Sequence, residues 1–91
     1  SRSQSHIMRM LEDAAEYLLL NVIRELAKNY KVSNETIHFM ASFYRFSFAG
    51  VVFDWIEKGM HENPQKIVDQ VAILMQGTFP SALERFEKAK M

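Results

Sequence analysis

The residues able to do chemistry in this chain are few and far apart. Its three histidines are His6, His38 and His61. No two of them stand at the HxxxH or HExxH spacing that puts two ring nitrogens on one helical face for a metal ion. There is no cysteine, which removes thiolate ligands, disulfides and thiol nucleophiles together. Glu12, Asp13 and Glu16 crowd one short stretch, where they read as a solvated helical face rather than an acid–base pair. The serines lack a GxSxG elbow, and Gly50, Gly59 and Gly77 are too dispersed for a phosphate-binding loop. No catalytic residue, cofactor or metal is therefore expected, and the chain is not expected to be an enzyme.

Two charged residues lie within apolar surroundings. Asp54 stands between Phe53 and Trp55. It is read as a carboxylate directed to solvent near Lys58; the alternative, a buried pair, requires a cation beside it. Arg45 is read as a surface residue, with the alternative that it faces a cavity and holds an anionic effector. Trp55 reads as a core or interface anchor. Tyr17, Phe39, Phe43, Tyr44 and Phe46 can line an apolar pocket between the first two helices. An ordinary helical core uses the same residues, and their spacing alone favours the core.

The elements that must position these residues follow from length and periodicity. Ninety-one residues allow one small domain. So short a domain buries only about 60–65% of its unfolded surface. With no disulfide and no structural metal, oligomerisation is the remaining common source of stability. A content of 48% hydrophobic and 12% aromatic residues is a heavy apolar load for one small copy to cover. Eleven basic residues balance eleven acidic ones, which argues against DNA contact by this segment and against a polybasic membrane anchor. The longest strongly apolar run, Phe46 to Ile56, is too short for a bilayer, which takes about 20 residues. No signal-peptide pattern opens the chain, so a cytoplasmic location is the default expectation.

The periodicity is helical throughout. Leu11, Ala15, Leu18, Val22 and Leu26 form a stripe over roughly His6 to Tyr30, widened on one flank by Leu19, Ile23 and Tyr30. Ser1 to Ser5 looks frayed, either the remainder of a longer chain or a remnant of expression. Ser33 or Asn34 can cap a second helix, which runs to about Lys58 and ends at Gly59. Its first half is amphipathic. Its second half, Phe46 to Ile56, is apolar almost all round, which predicts burial on every side. A short chain has few helices to supply that cover, and a second copy would. The mid-helix pair Ala49-Gly50 fits close approach by a neighbouring backbone.

Asn63-Pro64 caps and starts a third helix, with Ile67, Val68, Val71, Ala72, Leu74 and Met75 on a broad apolar face. Gly77-Thr78-Phe79-Pro80 breaks or kinks the chain. A last helix follows over about Ser81 to Lys90, with Leu83 and Phe86 inward and Glu84, Arg85, Glu87 and Lys88 outward. The fold class is all-α, an antiparallel domain of three to four helices.

One stretch carries a resemblance. Phe43-Tyr44-Arg45-Phe46-Ser47-Phe48-Ala49-Gly50-Val51-Val52-Phe53-Asp54-Trp55-Ile56-Glu57-Lys58-Gly59-Met60, followed by Asn63-Pro64-Gln65-Lys66-Ile67-Val68, resembles the C-terminal domain of TetR-family transcriptional regulators, particularly the type common in Firmicutes. The shared features are an aromatic-rich helix with a central small pair, a Trp-Ile-x-x-Gly-Met ending, and an Asn-Pro start to the next helix. The best match runs from about Phe39 to Met75.

The resemblance implies a homodimer that joins through an intermolecular four-helix bundle. Carried onto this sequence, it places Phe46, Ala49, Gly50, Phe53, Val68, Val71, Ala72 and Met75 at the dimer interface. It brings Phe39 and Phe43, with Tyr17 and Leu20, toward a small-molecule effector pocket; Arg45 joins them as the candidate anion holder. In such regulators an N-terminal helix-turn-helix reads DNA. No basic three-helix head precedes His6, so residues 1–91 are read as the dimerisation and ligand-binding part alone, either a fragment of a longer regulator, the favoured reading, or a protein that has lost its DNA-reading head. Two other readings compete. One is a standalone helical adaptor that takes a partner helix in an aromatic groove. The other is a small enzyme or ligand carrier, which would need an enclosed cavity with convergent polar groups.

Overall fold

The computed structural model describes residues 2–91. They form four helices, α1 (Arg2–Ala27), α2 (Asn34–Glu57), α3 (Pro64–Met75) and α4 (Thr78–Lys88). The described residues contain no strand, as the all-helical periodicity predicts. None of these helices is long and apolar enough to cross a membrane.

Side chains that bond to the backbone set most of the boundaries. The Ser33 hydroxyl accepts from the Thr36 amide at 3.0 Å and caps α2. At the other end, the Gly59 amide donates to the Ile56 carbonyl and the Met60 amide to the Trp55 carbonyl. That pair of bonds is a Schellman closure. Gly59 has φ +87°, a left-handed conformation that glycine adopts without strain. Asn63 accepts from the Gln65 amide at 2.9 Å, with Pro64 in the first turn of α3.

Three boundaries differ from expectation; the first is the end of α1, at Ala27 and not about Tyr30. α1 begins at Arg2, inside the stretch read as frayed; Ser1 lies outside the described residues. The Gln4 amide donates to the Glu57 carboxylate at 3.2 Å, so this first turn is tied to the end of α2. α4 begins at Thr78 rather than Ser81. Pro80 falls within its first turn, where an amide would have no intrahelical partner in any case.

α1 and α2 form an antiparallel hairpin. Gln4 meets Glu57, Glu16 meets Arg45, and Arg24 meets His38, so the two helices run past each other in opposite senses. α4 returns across one end and closes a three-sided core. That core holds Leu19, Ile23 and Ala27 from α1, Ile37, Met40 and Ala41 from α2, and Ala82 and Leu83 from α4. The inward reading of Leu83 holds, since it is fully buried. Glu87 departs from its outward reading: half-buried, it accepts from the Lys31 amide at 2.7 Å. The Met91 carbonyl takes the Ser33 amide at 3.0 Å and the Thr36 hydroxyl at 2.6 Å. These bonds fasten the end of the chain to the first turn of α2.

In α1 the flank, not the main stripe, is the core. Leu19 and Ile23 are buried, whereas Leu18 and Val22 are exposed. α1 carries two adjacent apolar lines, and α2 with α4 covers only one. The other, with Leu11 and Ala15, lines a cavity of about 380 Å³ together with Phe48, Val52 and Phe79.

Candidate association face and ligand groove

The second half of α2 was expected to be covered on every side, and in one copy it is not. Ala49 is the only buried residue between Phe46 and Ile56. It lies against the hairpin, while Phe46, Val51 and Val52 stay exposed. Phe46, Gly50 and Phe53 recur at steps of four and three, the seam spacing of a helix that pairs with another. Phe39, Phe43 and Phe46 each expose more than half their surface. Phe39 and Phe43 lean on each other with centroids 6.2 Å apart. The Arg45 guanidinium lies 4.4 Å from the Phe46 ring centre, within cation–π range. A Cβ built on Gly50 meets nothing within 4 Å. The close backbone approach expected there is absent from the single copy.

α3 is more extreme. None of its residues is buried, and Ile73 and Leu74 are 75% and 80% exposed. Val68, Val71 and Met75 face α2 across a cavity of about 290 Å³ whose far wall includes Phe48, Val51 and Val52. Ala72 is exposed. The eight expected interface residues thus divide: Ala49 is taken up inside the copy, Phe46, Gly50 and Phe53 share the α2 seam, and the α3 residues line or flank an open apolar trough.

The five expected pocket residues do not share one cavity. Phe39 and Phe43 line a groove of about 390 Å³, and its opposite wall is α4, through Ala82, Arg85, Phe86 and Ala89. Tyr17 is exposed on α1. Leu20 packs against the core. Arg45 is committed elsewhere, donating to Glu16 at 3.0 Å and to the Ser42 hydroxyl at 2.6 Å. Both members of the Arg45–Glu16 pair are about three-quarters covered, so the pair staples α1 to α2.

Asp54 follows its solvent reading. It is exposed and pairs with Lys58 at 2.8 Å. Its hydrogen bond and negative charge raise the Lys58 pKa above the ordinary lysine value. Trp55 is half-buried, and its indole N–H donates to the Glu62 carbonyl at 2.7 Å. It braces the α2–α3 turn, a role that a side chain bonding seven residues ahead does not announce in periodicity. Arg85 is exposed, as its outward reading expects, and it also stands in the groove wall, because the return of α4 onto α2 is a tertiary event. Among the described residues no cluster of three metal-ligating side chains forms.

Comparison with known protein families gives a match. The model of the family described as "Transcriptional regulator C-terminal region", a TetR-type set, matches residues 1–77. No curated protein and no solved structure matches the chain. The matched stretch includes α1, α2 and α3 and stops at the αL glycine that precedes α4.

Proposed function

Because the chain belongs to the TetR-type family of transcriptional regulator C-terminal regions, we propose that its work is association: it joins two copies of a regulator and carries a small-molecule signal to them. Residues 1–91 act as one dimerisation and ligand-binding unit. The regulator's DNA contact is made by another part of the protein, consistent with the zero net charge here. The reading assigns no reaction and no cofactor, and places the protein in the cytoplasm, where a bacterial-type regulator meets DNA.

One observation carries the dimer: no residue of α3 is buried in a single copy, and only Ile67, Val71 and Met75 are even half-buried, although seven of its twelve residues are apolar. A helix of that pattern holds its shape by packing, not by propensity alone. The α2 seam beside it is uncovered as well. Pairing α2 and α3 with the same helices of a second copy makes a four-helix bundle and covers both surfaces. Exposed patches of this kind mark association sites in soluble proteins. The effector reading is supported by the aromatic groove between α2 and α4, which includes Phe39 and Phe43.

Sedimentation equilibrium of the 91-residue chain tests the dimer. A dimer at micromolar concentration is expected. A monodisperse monomer there, with α3 still helical, overturns it. The effector reading is tested in the full regulator, by whether a groove ligand changes operator affinity.

A further inference from the structure

The groove between α2 and α4 has a chemistry of its own. Its aromatic walls are Phe39, Phe43, Tyr44 and Phe86, and among its lining side chains Arg85 alone is charged. At about 390 Å³ it falls at the small end of the roughly 300–1,000 Å³ range of ligand sites. The carboxylates that share α4 with Arg85 are committed elsewhere. Glu84 pairs with Lys88 at 3.2 Å, and Glu87 accepts from the Lys31 amide. Arg85 donates to the Ser81 hydroxyl at 2.7 Å, and among the described residues no carboxylate lies within 4 Å of it. The Tyr44 hydroxyl has no hydrogen-bond partner among the described residues either. A guanidinium without a counter-charge, a free phenol and an aromatic wall together suit a ligand that is apolar for most of its length and anionic at one end.

We propose that this groove binds a small amphipathic monocarboxylate, its apolar body against Phe39, Phe43 and Phe86 and its carboxylate on Arg85. The cation thus comes from α4, beyond the stretch that the family match includes. The proposal deepens the effector reading and rests on it for regulatory meaning, but not for binding itself.

The test uses octanoate and octan-1-ol as matched probes, titrated into the 91-residue chain and followed by calorimetry and by NMR of the aromatic side chains. Octanoate is expected to saturate at one per chain and to shift Phe39, Phe43 and Phe86 together. Arg85→Gln is expected to weaken octanoate about tenfold, the scale of one charge-assisted contact, and to leave octan-1-ol binding unchanged. Arg85 is exposed, so unchanged thermal unfolding of the variant shows that the fold is intact. Equal loss of both probes, equal binding of octanoate to both proteins, or shifts confined to Val68 and Leu74 in the trough would each overturn the site. Saturable, Arg85-dependent binding that leaves operator affinity of the full regulator unaltered would confirm the site and sink the effector reading instead.

Discussion

The two ends of α2 are made from similar residues and sit in opposite surroundings. Around its first half, Ile37, Met40 and Ala41 are sealed by α1 and α4, with Leu83 and Ile23 fully buried between them. Around its second half, only Ala49 is buried, and α3 runs alongside without burying any residue. The difference is one of neighbours, not of hydrophobicity. α4 returns to the hairpin end and fastens there through Glu87 and Met91, and nothing returns to the distal end. One end is a core that the chain completes for itself. The other is left open in one copy, and on the proposed reading a second copy completes it.

That contrast can be broken most forcefully at Leu83. Leu83→Ala removes a fully buried side chain and should cost about 3 kcal/mol, within the usual range for a leucine cavity. Chemical denaturation would measure it. The loss should persist when the protein is diluted below its dimerisation range, because the site lies inside one copy. A cost that vanished on dilution would mean that the hairpin core also depends on association.

The opposite pattern is expected on α3. Val68 is exposed in the single copy, so Val68→Asp should leave helix content by circular dichroism unchanged. In a bundle it would bury a carboxylate without a cation, and dimer dissociation should rise about 100-fold, near 2.7 kcal/mol. Analytical ultracentrifugation would read it. Dimers of unaltered affinity would remove α3 from the interface.

The helix caps sharpen the comparison further. Ser33 and Asn63 do the same job, each accepting from a backbone amide two or three residues ahead. Replacing such a cap with alanine costs about 1 kcal/mol where the helix is part of the cooperative fold. Ser33→Ala should show that loss in global unfolding of the isolated copy. Asn63→Ala should not, because α3 is scarcely coupled to the core. Its effect should appear as faster amide exchange within α3. Equal global costs would show that the two ends unfold as one unit.

These features differ in how far the sequence discloses them. Caps and stops are local: Ser33, Asn63-Pro64 and Gly59 act on backbone groups a few residues away, so reading along the chain finds them. The all-helical class is legible for the same reason, since period 3.6 is a local property. Which apolar line of α1 becomes core is not local. Leu18 and Leu19 look equivalent until the position of α4 is known. The groove escaped for that reason too. Phe39 and Phe43 line a groove whose other wall includes Arg85 and Phe86 of α4, not Tyr17 and Arg45. Arg45 stands on the hairpin side of α2, where Glu16 holds it.

Gly50 offers the smallest effect and the finest discrimination. Glycine inside a helix is less stable than alanine by about 0.5–1 kcal/mol, and a Cβ at Gly50 meets nothing within 4 Å of one copy. Gly50→Ala should therefore stabilise the dilute, monomeric chain by about that amount, read as a higher denaturation midpoint. If a partner's backbone crosses the α2 seam here, the same methyl group must weaken the dimer, and Gly50→Leu must weaken it more. The sign of the stability change should then reverse with protein concentration. A gain at every concentration would mean that no second backbone approaches this residue. The seam would then cross its partner elsewhere along Phe46 to Phe53, or face something other than a second copy.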